Sequence, residues 1–433
     1  MRMFDIIKKK RDGFELSDEE IEFFLEGYID GTIPNYQVSA LLMAIYYNGM
    51  STREIVTLTK GVANSGEKVS FSKIKDFKVD KHSTGGVGDK ISLIVTPIAA
   101  AGGIKVAKIS GRALGHTGGT IDKLESIPGY RTNLDLSEFQ DIVNNVGVSI
   151  VGQSLTLAPA DRKLYALRDV TATVDSLPLI ASSIMGKKLA VADNAIVLEV
   201  TAGSGSFNKT IEEARKLSKI MVDIGNESGK KTIAIITDMN QPLGTMVGNS
   251  LEILEALEVL KCGKGDKRLV EISLILAANM LYLAGYGEMN YCHSLTQQKL
   301  EDGSAYQKFY DMVLAHGGDV SYLEDTSKFN LGKTKEVKSP KEGYIQVIDT
   351  ESYGMASTIL GAGRNKIGED IDPSAGIEVI KTIGDYVYKG DVIAILHANN
   401  ETLFDAAEAI LQQCIIIGEE YFAPNPIFLG RIE

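Results

Sequence analysis

Lys81-His-Ser-Thr-Gly-Gly-Val-Gly-Asp-Lys-Ile-Ser92 is the stretch whose reading decides the fold. Three glycines in four positions let a backbone come close to something, with Lys81 and His82 before them and hydroxyls on both sides. The apolar run from Leu93 to Ala101 follows at once and is predicted to be a helix. A polar, glycine-rich turn that opens a helix presents free N–H groups and the positive end of the helix dipole. That combination suits an anion, phosphate above all.

Outward from this loop, Ile104–Ile109 reads as a strand, and it runs into Ser110-Gly-Arg-Ala-Leu-Gly-His-Thr-Gly-Gly-Thr-Ile-Asp-Lys-Leu-Glu125. A strand ending in a Ser-Gly turn places its residues at the carboxyl edge of a sheet, where α/β ligands bind. Ser110 and Thr120 offer hydroxyls to phosphate oxygens and Lys108 adds charge beside them. Two such loops, each after a strand-like segment, argue for a site where one alone would read as a plain turn.

Ala195–Val200 and Thr232–Thr237 also read as strands, and Ile211–Ile224 as an amphipathic helix, so the middle of the chain is a parallel-type sheet covered by helices. The first ~65 residues carry no strand pattern. Ser17-Asp-Glu-Glu20 and Ser51-Thr-Arg-Glu54 are capping boxes, each followed by apolar residues at helical spacing, and Val38, Leu41, Leu42 and Ile45 mark a further helix. Leu155 to Leu189 is helical again and is expected to rejoin the N-terminal helices, with Gly152–Pro159 and Lys187–Asp193 as crossing points. Beyond residue 340, Ile377–Ile383 and Val392–Leu396 flank Gly384-Asp-Tyr-Val-Tyr-Lys-Gly390-Asp. That pattern resembles the half-barrels of biotinyl and lipoyl carriers, but no carrier lysine stands at a hairpin tip, and a β-rich packing module is expected.

The expected fold class is therefore α/β: a small all-helical domain (1–65 plus 160–192), a large mixed α/β domain (79–155 plus 195–335) and a C-terminal β-rich α+β module (340–433). Size agrees, since 433 residues exceed one ordinary core. A net charge of −12 argues against general nucleic-acid binding. Cys262, Cys292 and Cys414 form no CxxC pair, which fits a reducing compartment without disulfides or structural zinc. The N-terminus lacks a signal-peptide core and no apolar run is long enough for a bilayer, so a cytoplasmic protein with no membrane partner is expected.

Ser110–Glu125 resembles the signature of the thymidine and pyrimidine-nucleoside phosphorylase family. Lys81–Ser92, Tyr165-Ala-Leu-Arg-Asp-Val-Thr-Ala-Thr-Val-Asp175, Thr237-Asp-Met-Asn-Gln-Pro-Leu-Gly244, Gly361-Ala-Gly-Arg364 and the Gly384–Gly390 module are similar to it as well, so the resemblance spans the chain. It implies phosphorolysis of a pyrimidine nucleoside to free base and (deoxy)ribose 1-phosphate by a homodimer, with no organic cofactor. By the same resemblance Lys81, His82, Ser83, Ser92, Lys108, Ile109, Ser110 and Thr120 would hold phosphate. His82, Arg168, Ser183 and Lys187 would hold the pyrimidine, with His82, Arg168 and Lys187 as the catalytic groups. A potassium ion would be bound at Gly88, Lys90, Leu243, Met246 and Glu255, mainly through backbone oxygens.

The chemistry asks for such groups. Breaking the bond between C1′ and the base leaves negative charge on the ring, which fixed cations stabilise. His82, whose ordinary pKa lies near neutrality, is a candidate donor to the departing ring. Phosphate is itself the nucleophile, so no covalent intermediate is needed and the sugar inverts. Read alone, Arg168 is an ion pair with Asp169, Lys187 a solvated charge and Glu255 part of an acidic helix face. His116 sits between glycines and is not taken as catalytic, while His293, His316 and His397 lack metal spacing. Lysine at 108 resembles the branch that accepts uridine, deoxyuridine and thymidine, rather than the thymidine-restricted one. The rival reading is an anthranilate-type phosphoribosyltransferase, but no Asp-Glu pair stands where magnesium and pyrophosphate would need it. A non-catalytic sensor is disfavoured because both sets of contacts are intact. Ala192–Ala195 and Thr201–Asn208 depart from the family pattern.

Overall fold

Local capping chemistry starts two of the N-terminal helices. In the computed structural model, which describes residues 1–112, 118–153, 157–364 and 369–433, these are α1 (Met3–Arg11), α2 (Asp18–Asp30), α3 (Asn35–Asn48) and α4 (Thr52–Asn64). Both expected capping boxes form, at Ser17 and Glu20 before α2 and at Ser51 and Glu54 before α4. Glu54 does more than cap. It is fully buried and accepts Lys10 Nζ at 2.9 Å and Leu16 N–H at 2.8 Å, tying α1 to α4. Removing one partner of such a buried pair costs about 3–5 kcal/mol.

The mid-chain helices α8 (Pro159–Asp169) and α9 (Leu177–Leu189) do return to this unit. Leu164, Leu167 and Leu179 share one core with Phe24, Leu25, Leu41 and Leu42. The segments that cross between domains run side by side, because Val69 bridges Val191 through backbone hydrogen bonds to Ala190 and from Ala192.

Strands β1 (Val79–Ser83), β2 (Val106–Ser110), β3 (Val148–Gly152), β4 (Ala195–Ala202) and β5 (Lys231–Asp238) are parallel where they pair. β1 joins β4 and β4 joins β5, while β2 pairs with β3 as a separate ribbon. The two ribbons meet at one bridge, Lys78 to Lys105, just before β1 and β2 begin. Beyond that bridge β1 and β2 carry no ladder pairing, which leaves a crevice at their carboxyl ends, where α/β folds bind ligands. α5 (Ile91–Ala101) follows β1, α6 (Thr120–Leu124) and α7 (Leu136–Val146) lie between β2 and β3, and α10 (Ile211–Glu227) links β4 to β5.

The period of two along β4 divides the interior. Ile196, Leu198 and Val200 pack with α10 and with Ala181 and Met185 of α9, whereas Ala195 and Val197 face the core that includes α5. Behind that core lie α11 (Asn249–Cys262), α12 (Lys267–Leu283), α13 (Met289–Glu301), α14 (Ser304–Ala315) and the one-turn α15 (Ser321–Glu324).

The C-terminal module holds β7 (Lys333–Lys338), β8 (Gly343–Ile348), α16 (Thr350–Leu360), β9 (Gly376–Val379), β10 (Tyr386–Val387), β11 (Val392–Ala398), α17 (Phe404–Cys414) and β12 (Ile415–Gly418). Two strands break the expected boundaries. β6 (Met246–Gly248), from the middle of the chain, pairs with β9 in the module's sheet. β13 (Phe428–Ile432), at the end of the chain, leaves the module and pairs antiparallel with β5. The module is thus stitched to the α/β domain through both elements.

Candidate active site

β1 delivers Lys81 and Ser83 to the crevice, and the turn after it opens α5. Gly88 has φ 76°, and a Cβ there would lie 2.6 Å from the Leu243 carbonyl, so the turn needs glycine at this point. Lys81 is fully buried, with Nζ 2.7 Å from Glu199 Oε2 and 3.5 Å from Ser92 Oγ in the first turn of α5. Burial pushes the Glu199 carboxyl up while Lys81 pulls it down, and the net shift is upward. Burial also opposes ionisation of Asp89, but Lys81, Lys123 and hydrogen bonds from Ser83 and Ile91 N–H leave it below the usual carboxylate range.

β2 brings Lys108, Ile109 and Ser110 alongside. Lys108 Nζ donates to the Lys81 carbonyl at 2.5 Å, and burial, then the neighbouring Lys188, pulls its pKa down to about 7. The Ile109 carbonyl accepts from Lys188 at 3.3 Å, and that of Ser110 accepts from Gln153 N–H at 3.0 Å. Thr120 is the first residue of α6. The second motif is braced by Arg112 and Arg364, each 2.9 Å from Asp122, and by Lys123, which reaches the Asp89 carbonyl at 2.6 Å and Glu252 at 2.7 Å. His116, inside that motif, lies outside the described residues.

The helical domain supplies the facing set. Ser183 and Lys187 are one turn apart on α9. Lys187 Nζ donates to Ser183 Oγ at 3.0 Å and to Asp161 of α8 at 2.6 Å. Arg168 is not paired with Asp169. Its guanidinium is buried and donates to the carbonyls of Thr173 at 3.2 Å, Val174 at 2.5 Å and Leu179 at 3.1 Å. Three of a guanidinium's five N–H groups are thereby engaged in holding the α8–α9 connection, and two are left over. Lys188, one residue on, points the other way and forms a buried 2.6 Å pair with Asp80 of β1.

His82 stands on β1 between the two sets. Burial, followed by Lys188, Lys108, Lys187 and Lys81, holds its pKa well below the ordinary histidine value. The ring is half-buried, and the four lysines act in the same direction wherever burial is incomplete. Both causes favour the neutral imidazole over the imidazolium.

The residues expected around potassium also converge, but Lys90 enters that set with its side chain. Nζ donates to the Leu243 carbonyl at 2.7 Å, the Met246 carbonyl at 2.8 Å and Glu255 Oε2 at 2.5 Å. Gly88, at the same place, accepts from Lys90 N–H at 2.8 Å. The oxygens already surround a positive charge, and a potassium ion does not fit the set as built. The expected set of mainly backbone oxygens thus has the Lys90 side chain at its centre.

Sequence reasoning did not reach Glu199, Asp80, Asp161 and Lys188. A signal existed for Glu199, the one carboxylate in the apolar run Ala195-Ile-Val-Leu-Glu-Val200. Two of the histidines, His316 and His397, behave as expected of structural residues. His316 is buried, bonded to Ser149 and stacked on Tyr130, and His397 pairs with Glu378. Among the described residues, no cluster of three or more His, Cys, Asp or Glu side chains suits a metal, and no helix is long and apolar enough to cross a membrane. Ser206 and Asn208, in one departing loop, are buried and both bond to the Thr201 carbonyl, so the loop closes on itself.

Comparison with known proteins follows this architecture domain by domain. Residues 75–306 match the model described as glycosyl transferase family, a/b domain, and residues 4–66 match that family's helical bundle domain. Residues 344–418 match the pyrimidine nucleoside phosphorylase C-terminal domain. The pyrimidine-nucleoside phosphorylase of Geobacillus stearothermophilus is 47% identical over 430 residues, covering 99% of each chain. That of Staphylococcus aureus (strain MSSA476) is 47% identical over 435 residues, covering all of both. Anthranilate phosphoribosyltransferase from Thermus thermophilus shares the fold, with TM-score 0.59 and 18% identity over 72% of this chain and 98% of that one. The fold and its site define a pentosyltransferase of the glycosyl transferase family. Within it, the chain belongs to the pyrimidine-nucleoside phosphorylases.

Proposed function

We propose that this enzyme phosphorolyses uridine, deoxyuridine and thymidine reversibly, releasing the pyrimidine and the α-anomer of (deoxy)ribose 1-phosphate. The observation that carries the reading is the pair of facing polar sets: Lys81, Ser83, Ser92 and Lys108 at the strand ends, and Ser183 and Lys187 on α9, with His82 under the field of both.

Phosphate is held by Lys81, Ser83, Ser92, Ser110 and Thr120, with Lys108 behind. One of its oxygens attacks C1′, the bond from C1′ to the ring nitrogen breaks, and the electron pair leaves on the pyrimidine. Lys187 and the two unengaged N–H groups of Arg168 stabilise that charge, Ser183 orients the ring, and neutral His82 donates a hydrogen bond. The phosphate and the departing base then occupy opposite faces of the sugar. Closure across the segments joined at Val69 and Val191 brings the two sets together. Buried Lys108 favours the broad nucleoside range over thymidine alone. The enzyme acts in the cytoplasm and as a homodimer, the latter reading supported by the exposed Phe4, Tyr36 and Tyr47 on α1 and α3.

The test is incubation with uridine and phosphate, following base release by ultraviolet absorbance, with thymidine in parallel. Phosphate-dependent release from both nucleosides is expected. No release, with turnover of phosphoribosyl pyrophosphate instead, would favour the phosphoribosyltransferase reading.

A further inference from the structure

The Lys90 ammonium is enclosed more completely than a surface ion pair requires. Both Lys90 and Glu255 are buried, with side-chain exposures of 0% and 1%. An ammonium has three N–H donors. Here they meet three oxygens from one distant stretch of the chain, Leu243 and Met246 before α11 and Glu255 within it. The carboxylate is equally occupied, since Oε1 accepts Thr245 N–H at 2.7 Å and Thr245 Oγ1 at 3.1 Å, and Oε2 also accepts Met246 N–H at 3.0 Å.

We infer that Lys90 is a built-in cation that takes the place of an alkali ion at this site, so that the enzyme is independent of potassium. Two carbonyls and a carboxylate form the oxygen set expected for a hard cation. The side chain fills the centre of that set and supplies one positive charge against one carboxylate. An added ion would have to displace an ammonium from its three acceptors, or sit against it while the Glu255 carboxylate is already paired.

The placement also says what the cation is for. Lys90 is the N-cap residue of α5, so its backbone ends the glycine loop that follows Ser83 and precedes Ser92. Its ammonium holds the 243–246 segment, and β6 continues from Met246 into the sheet of the C-terminal module. The phosphate loop is thereby tied to the module by a covalently supplied charge, whose occupancy does not vary with ionic composition.

The experiment is a potassium titration at constant ionic strength, balanced with choline chloride, reading the thermal midpoint and phosphorolysis in parallel. The midpoint is independent of whether the substrate assignment holds. For the wild-type enzyme both readouts should stay flat, with activity changing less than twofold. A saturable rise of the wild-type midpoint with potassium, absent with choline, would overturn the inference, because a ligand that binds the native state raises its stability.

Lys90→Ser vacates the centre, offers a hydroxyl and puts a favoured residue at the N-cap. It should melt several degrees lower without potassium and recover as potassium is added. A Lys90→Ser enzyme equal to wild type in choline alone would contradict the built-in role. Lys90→Met/Glu255→Gln removes both charges together and guards against a variant that does not fold. It should ignore potassium, and a saturable potassium response in it would count against the inference.

Discussion

The two walls of the cleft hold their charges in opposite ways. On the α/β side, Lys81 is sealed inside the protein against Glu199 at 2.7 Å and is essentially unexposed. On the helical side, Lys187 keeps 27% of its side chain exposed and rests on Asp161 and Ser183. A sealed pair is fixed before any ligand arrives. A half-open pair can exchange its carboxylate for a ligand at smaller cost. The phosphate wall is therefore preassembled, and the base wall is one that the nucleoside completes.

That contrast breaks first at Lys81. Lys81→Met should lower kcat/KM by about 10³-fold or more, of the order found when a preorganised charge partner is lost, and leave Glu199 buried without a cation. Adding Glu199→Gln should recover most of the lost thermal stability and none of the turnover. Recovery of turnover would mean that Lys81 only neutralises Glu199.

A smaller effect is expected across the cleft. Lys187→Met should reduce kcat by about 10²-fold. Phosphate binding, measured by calorimetry without nucleoside, should remain within about twofold, since residues in separate sets with no shared partner act nearly additively. A matching loss of phosphate affinity would show that the walls are one unit.

The smallest effect belongs to Lys108, whose pKa of about 7 lies below the ordinary 10.5. Between these values the folded chain holds fewer protons than the unfolded one, so this residue makes stability rise with pH across that window. Over the lower part of it the cation beside the anion site is discharged. Competitive inhibition by sulfate, whose own charge is constant there, should weaken several-fold as pH rises through about 7. The Lys108→Met enzyme should lose that dependence, while retaining it would assign the titration elsewhere.

Much of this was legible because the deciding chemistry is local. Ser17 with Glu20 and Ser51 with Glu54 satisfy N–H groups three residues away, so the pattern is the structure. Loop positions such as Ser83, Ser92, Ser110 and Thr120 follow from where strands end and helices begin. What could not be read is the pairing of distant segments. β6 joining β9 and β13 returning to β5 depend on tertiary closure that short apolar runs do not encode. Side-chain direction is the other gap. Lys187 and Lys188 are adjacent in sequence, but about 100° of helical rotation sends one to the base wall and the other to Asp80. Nothing local says which way the Lys90 ammonium turns, so its place in the loop suggests a backbone role alone.

The most direct test of the two-wall account is the configuration of the sugar product. NMR of uridine and inorganic phosphate turned over by the enzyme should show α-ribose 1-phosphate appearing in step with free uracil, because phosphate and base sit on opposite faces of C1′. The β-anomer, or uracil released without a phosphate ester, would contradict direct attack from the preassembled wall.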